Sequence, residues 1–72
     1  MEYYERLREL RIDADMNQTQ IARILETSQS YYSEYELGKR PLPVNHLTTL
    51  CKLFGVSADY ILGLPKDMKW PR

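Results

Sequence analysis

Gln29, Ser30, Ser33 and Glu34 are spaced so that a helix would carry all four on one side, and each side chain can take part in a directed hydrogen bond. A helix face that is polar yet mostly uncharged is unusual for one that meets only water. Lys39 and Arg40 follow as a minimal basic pair. Other chemistry is poorly supported. His46 and Cys51 stand five apart with no second Cys, and His46 is the only histidine, so a zinc site is rejected and no metal is expected. No nucleophile with a neighbouring base is visible, so the chain does not read as an enzyme. Tyr32 and Tyr35 could stack on single-stranded bases, but their helical spacing assigns them to a core. Cys51 reads as a small buried hydrophobe.

These residues must be positioned by a single small domain. The chain has 72 residues, 43% of them hydrophobic, with ten basic and ten acidic side chains and a formal net charge of zero. That length makes a two-domain enzyme with a deep cleft unexpected, and that hydrophobicity argues against disorder. One cysteine excludes an internal disulfide. No apolar run reaches the ~18 residues of a membrane span, and the start, Met1-Glu2-Tyr3-Tyr4-Glu5-Arg6, lacks the order of a signal peptide. A cytoplasmic location, with no membrane contact, is expected.

The pattern predicts five helices. Tyr3, Leu7, Leu10 and Ala14 draw an apolar stripe along the first, Glu2 to about Asp13, with Glu2–Arg6 and Glu5–Arg8 as attractive pairs and Asp15 as a left-handed stop. Asn17 reads as an N-cap with Gln20 closing a capping box and Met16 and Ile21 as a hydrophobic staple. The second helix runs from Gln18 to about Leu25, with Ile21, Ala22 and Leu25 inward. After a break at Glu26-Thr27, Ser28 caps a third helix from Gln29 to about Leu37, with Tyr32, Tyr35 and Glu36 inward and Gly38 as its stop. Lys39 to Pro43 is a loop because of its prolines. Val44 to Phe54 forms the fourth helix, with Leu47, Leu50, Cys51 and Phe54 inward. Ser57 caps a short fifth, Ala58 to Leu62. Residues 1–64 form the domain, and 65–72 a partly ordered tail. Two short helices with a tight break, the second carrying a polar outer face, describe a helix-turn-helix.

From Leu7 to Leu62 the chain resembles the Cro/C1-type helix-turn-helix family, the DNA-binding domain of lambda-type repressors and XRE regulators. The matching stretches are Leu7-Arg8-Glu9-Leu10-Arg11, Asn17-Gln18-Thr19-Gln20-Ile21-Ala22, Ser28 to Ser33, Tyr35-Glu36-Leu37-Gly38-Lys39-Arg40 and Phe54-Gly55-Val56-Ser57-Ala58-Asp59-Tyr60. The resemblance implies an all-α, compact five-helix lambda repressor-like fold with the motif at helices 2 and 3. It implies that Ser28 to Leu37 is the recognition helix, with Gln29, Ser30, Ser33 and Glu34 facing base edges in the major groove. The chemistry suits this, since Gln bonds an adenine edge, Ser bonds several bases and Glu accepts from a cytosine amino group. Gln18, Ser28, Tyr31, Lys39 and Arg40 are the implied backbone contacts. At Gln18 the free amides of a helix N-terminus also attract an anion for reasons of their own. Arg11 and Glu36 match a pair that ties the first helix to the third as an internal salt bridge.

Two departures from the family pattern stand out. Glu26 occupies a turn position that usually carries glycine, and Glu34 sets an anion on the reading face, which lowers non-specific affinity. Family members dimerise around the last helix. Leu42, Pro43, Ala58, Tyr60, Leu64, Met68 and Trp70 cannot all be buried in so small a core, so a homodimer is expected through Leu42, Ala58, Tyr60, Leu64 and Trp70. Its two recognition helices would be spaced by about one DNA turn, ~34 Å, to read a palindrome. The function expected is a sequence-specific regulator of double-stranded DNA, a repressor that occupies an operator without a cofactor or small-molecule ligand. The alternative is an antitoxin or protein-interaction module on the same fold. The charge balance shapes the expectation: residues 1–16 carry −2, 17–40 carry 0 and 41–72 carry +2. A neutral reading segment implies few phosphate contacts and a shallow salt dependence.

Overall fold

The computed structural model describes residues 2–64, which form five helices in chain order: α1 (Tyr3–Asp13), α2 (Gln18–Ile24), α3 (Gln29–Glu36), α4 (Val44–Phe54) and α5 (Ala58–Leu62). The architecture is all-α, with no strand among the described residues. Trp70 and Met68 lie outside them.

Local chemistry explains the starts of α1, α2, α3 and α5. At α2 the Asn17 side chain accepts from the Gln20 amide at 2.8 Å while the Gln20 side chain accepts from the Asn17 amide at 2.8 Å. This reciprocal box satisfies two donors that a helix start would otherwise leave unpaired. Ser28 Oγ accepts from the Tyr31 amide at 3.1 Å and Ser57 Oγ from the Tyr60 amide at 3.2 Å. At α1 the start is closed differently from the pattern expected. Glu5 accepts from the Glu2 amide at 2.8 Å. Neither Glu2–Arg6 nor Glu5–Arg8 is an ion pair: the Glu5 carboxylate is turned to the helix start, and Arg6 lies over the Tyr60 ring at 5.1 Å. Asp15 and Glu26 adopt left-handed backbone at φ 57° and 58°. Glu26 makes the turn between α2 and α3 in a conformation that suits glycine better.

The core consists of Leu7 from α1, Ile21 and Ala22 from α2, Leu25 at its end, Tyr32 and Tyr35 from α3, Leu50 from α4 and Ile61 from α5. Every helix contributes to it, so none is stable as an isolated segment of such length. On α4 only Leu50 is fully buried; Leu47, Cys51 and Phe54 pack half-exposed against the cluster. Ala14 does not extend the α1 stripe. It is the C-cap of the helix and is exposed. Helix α2 packs against α3, α1 against both α3 and α5, and α4 against α5. That arrangement leaves the outer side of α3 uncovered.

Candidate nucleic-acid interface

Gln29, Ser30 and Tyr31 are exposed on the uncovered side of α3, and Ser33 and Glu34 are half-exposed beside them. Tyr32, Tyr35 and Glu36 are buried on the opposite side. The stacking alternative for Tyr32 and Tyr35 therefore fails, because neither ring is accessible. Ser28 is exposed, and its hydroxyl already accepts the Tyr31 amide as the helix cap.

The outer face is tied to the interior by a chain of hydrogen bonds. Arg11 donates through Nε to Glu36 Oε2 at 2.7 Å and through Nη2 to Oε1 at 3.1 Å. Its Nη1 donates to the Met16 carbonyl at 2.9 Å. Gln18 Nε2 donates to the same Glu36 Oε1 at 2.9 Å, and Gln29 Nε2 donates to Gln18 Oε1 at 2.6 Å. The Glu36 side chain is 2% exposed and that of Arg11 12%. Burial alone would push the Glu36 carboxyl up; the Arg11 guanidinium and the Gln18 amide overcome this and hold it below the ordinary carboxylate range. Hydrogen bonding to Glu36 raises Arg11 in turn. Burial first, then the nearby Glu36 charge, pushes the Tyr32 phenol far up, so it is neutral at any physiological pH. The consequence is mechanical. Gln29, the first residue of α3, is oriented by a side chain of α2, which is oriented by a buried ion pair between α1 and α3.

A second cluster lies at the other end of α3. Arg40 donates through Nε to Glu34 Oε1 at 2.8 Å, and its Nη2 stands 2.7 Å from the same oxygen. Its guanidinium carbon is 4.1 Å from the Tyr31 ring centroid. The Tyr31 ring meets Tyr35 edge-on at 5.6 Å, and Tyr35 Oη lies 3.0 Å from His46 Nδ1. Arg40 is thus held on the protein by Glu34 and Tyr31, whereas Lys39 is exposed. The two basic residues of the loop are placed very differently.

Sequence reasoning did not assign Tyr4. A Cβ at Gly38, which has φ 75°, would come within 2.7 Å of the Tyr4 ring, so this ring packs directly on the left-handed end of α3. A signal existed, because Tyr4, Leu7 and Arg11 share one face of α1 at spacings of three and four. The Gln18–Gln29 and Arg40–Glu34 contacts carried no such signal, since their partners come from different elements.

The residues expected at a subunit interface are dispersed. Leu42 packs half-exposed against the core, Ala58 and Leu64 are half-exposed, and Tyr60 is 49% exposed; Trp70 lies outside the described residues. Leu53 and Leu62 are exposed apolar side chains that the sequence reading did not select. Cys51 is half-exposed rather than enclosed, and burial raises its thiol. Among the described residues no three His, Cys, Asp or Glu side chains stand close enough to hold a metal ion, and no helix is long and apolar enough to cross a membrane.

Residues 4–66 match the family model described as "Helix-turn-helix domain". The Bacillus subtilis "Uncharacterized HTH-type transcriptional regulator YobD" is 38% identical over 65 residues, which are 90% of this chain and 58% of that protein. The "SPbeta prophage-derived uncharacterized HTH-type transcriptional regulator YonR" of the same organism is 34% identical over 58 residues, 81% of this chain and 54% of that protein. The "HTH-type transcriptional regulator RamB" of Mycobacterium tuberculosis is 38% identical over 55 residues, 76% of this chain but 12% of that protein. The chain thus spans little more than half of the first two and a small part of the third. No solved structure matches significantly.

Proposed function

The chain belongs to the XRE-type helix-turn-helix family, whose members are DNA-binding transcriptional regulators rather than enzymes, and from that premise we propose that it reads double-stranded DNA through the outer face of α3. The observation that carries this reading is the register of that face. Gln29, Ser30, Ser33 and Glu34 are presented on the uncovered side of a helix whose first residue is held, through Gln18, by the buried Arg11–Glu36 pair. Side chains that select bases must be held closely enough to tell one edge from another, and a face anchored to the interior meets that need. Gln29 bonds an adenine edge, Ser30 and Ser33 adapt to their neighbours, and Glu34 accepts from a cytosine amino group. Gln18, Ser28, Tyr31 and Lys39 line the edges of this face and contact the phosphodiester backbone.

The binding unit is residues 1–64, with 65–72 a tail beyond it. It works as a homodimer on a palindromic operator, which places two α3 helices about one DNA turn apart. Leu42, Ala58, Tyr60 and Leu64, in and beside α4 and α5, form the contact. The exposure of Leu53, Tyr60 and Leu62 in the single chain supports it, because large apolar side chains left uncovered on a small domain favour burial. Occupying an operator blocks transcription, so the protein acts in the cytoplasm as a repressor. Selection from a pool of random duplexes by the purified protein tests this: a palindromic motif is expected, and a folded protein that enriches no motif refutes it.

A further inference from the structure

We propose that Arg40 is a positioning residue for base recognition by Glu34, and that the two act as one unit selecting a cytosine. This deepens the DNA-binding reading above and rests on it. Both contacts from the guanidinium, Nε at 2.8 Å and Nη2 at 2.7 Å, go to the single carboxylate oxygen Oε1. Among the described residues Oε2 accepts no hydrogen bond and the Glu34 side chain is 40% exposed, so one oxygen of Glu34 is held and the other has no partner on the protein. The arginine is itself fixed from behind. Its guanidinium carbon lies 4.1 Å from the Tyr31 ring centroid and its Nη1 donates to Tyr31 Oη at 3.4 Å, while Tyr31 rests edge-on against the fully buried Tyr35.

The physical need for such a unit is plain. An unpaired carboxylate brought into the major groove is repelled by phosphates on both sides. A guanidinium on one oxygen offsets most of that charge and limits the carboxylate's rotation. The remaining oxygen then has an acceptor's geometry towards an amino group, and in the major groove cytosine N4 is the donor that Glu matches. On this proposal Arg40 serves Glu34 in place of the general phosphate contact that its position in a basic pair suggested, and Lys39, exposed next to it, supplies that contact. The Tyr31 stack also makes the position one for arginine, because a lysine ammonium offers no planar group to lie on the ring.

The experiment is random-duplex selection with the full chain in four forms: unaltered, Glu34→Ala, Arg40→Ala and the double substitution. The unaltered protein is expected to enrich a motif with one cytosine-preferring position per half-site. Glu34→Ala and Arg40→Ala should both flatten that same position, reducing its preference by about fivefold or more, and the double substitution should flatten it no further. Arg40→Lys should lie between. Arg40→Ala that keeps the cytosine preference and weakens all sequences alike makes Arg40 a phosphate clamp and overturns the proposal. An unaltered, folded protein that enriches no motif overturns the underlying DNA-binding reading, a failure distinct from the first. A DNA-free readout covers the pairing: by NMR the Arg40 Nε–H should exchange with water more slowly in the unaltered protein than in Glu34→Ala, and equal rates refute the held arginine.

Discussion

Replacing Arg11 by Met removes the guanidinium while keeping an unbranched stem, and it leaves the Glu36 carboxylate buried without its cation. Breaking a buried pair by deleting one partner costs roughly 3–5 kcal/mol. The low end applies here, because Gln18 Nε2 still donates to Glu36 at 2.9 Å and the Arg11 side chain was 12% exposed. About 3 kcal/mol is a large share of the ~4–11 kcal/mol that a chain of this size holds, and it should lower Tm by about 12–24 °C. Urea denaturation at pH 7 and again near pH 5 checks both the size and the cause. In the unaltered protein the folded Glu36 carboxyl sits below its unfolded value. Its contribution is therefore fully present above the unfolded value, ~4.3, and is lost as pH falls through the folded one. In Arg11→Met burial dominates, the folded value rises above the unfolded one, and the penalty grows as pH rises through that interval. The variant should thus recover stability on mild acidification while the unaltered protein does not. A loss under about 1 kcal/mol at pH 7, or a loss that does not shrink towards pH 5, refutes the assignment of this pair as the anchor of α3.

Three further outcomes are expected. Gln29→Ala should relax base preference at one position of each half-site, at a cost of about 1–3 kcal/mol for the preferred site, as read by competition binding against single-base variants of the selected motif. Lys39→Ala should weaken binding to all sequences alike and reduce the slope of log K against log salt by about one, measured by fluorescence anisotropy across a salt series. Glu26→Gly should raise stability by up to about 1.5 kcal/mol in urea denaturation. Relief of the left-handed backbone at φ 58° is worth about 1–2 kcal/mol, and the added chain entropy of glycine offsets about 0.5–1 of it.

The elements were legible because their signals are local. Asn17 with Gln20, Ser28 before Tyr31 and Ser57 before Tyr60 are caps in which partners stand three residues apart, and short-range hydrogen bonds of this kind form wherever the sequence places them. Where two local options competed, the pattern misled. Glu5 could pair with Arg8 or close the helix start, and the free amide at Glu2 is the better partner for its carboxylate than an exposed cation screened by water. Ala14 continued a stripe on paper, but its helix ends before it can face the core.

The sequence by itself determined the five helices, the inward placement of Tyr32 and Tyr35, the polar outer face of α3 and, through family resemblance, the Arg11–Glu36 pair. Only the tertiary structure decided how that face is held. Gln18 joins Glu36 to Gln29 across two helices, Tyr4 seats on Gly38 from α1, and Arg40 turns back from the loop onto Glu34 and Tyr31. Periodicity orders residues along one element, whereas these contacts join side chains whose distance depends on how separate elements pack. Lys39 and Arg40 show the difference most sharply. Adjacent, alike in charge and indistinguishable by pattern, they part because the backbone leaving Gly38 exposes the first side chain and leads the second back onto the Glu34 carboxylate with the Tyr31 ring beside it.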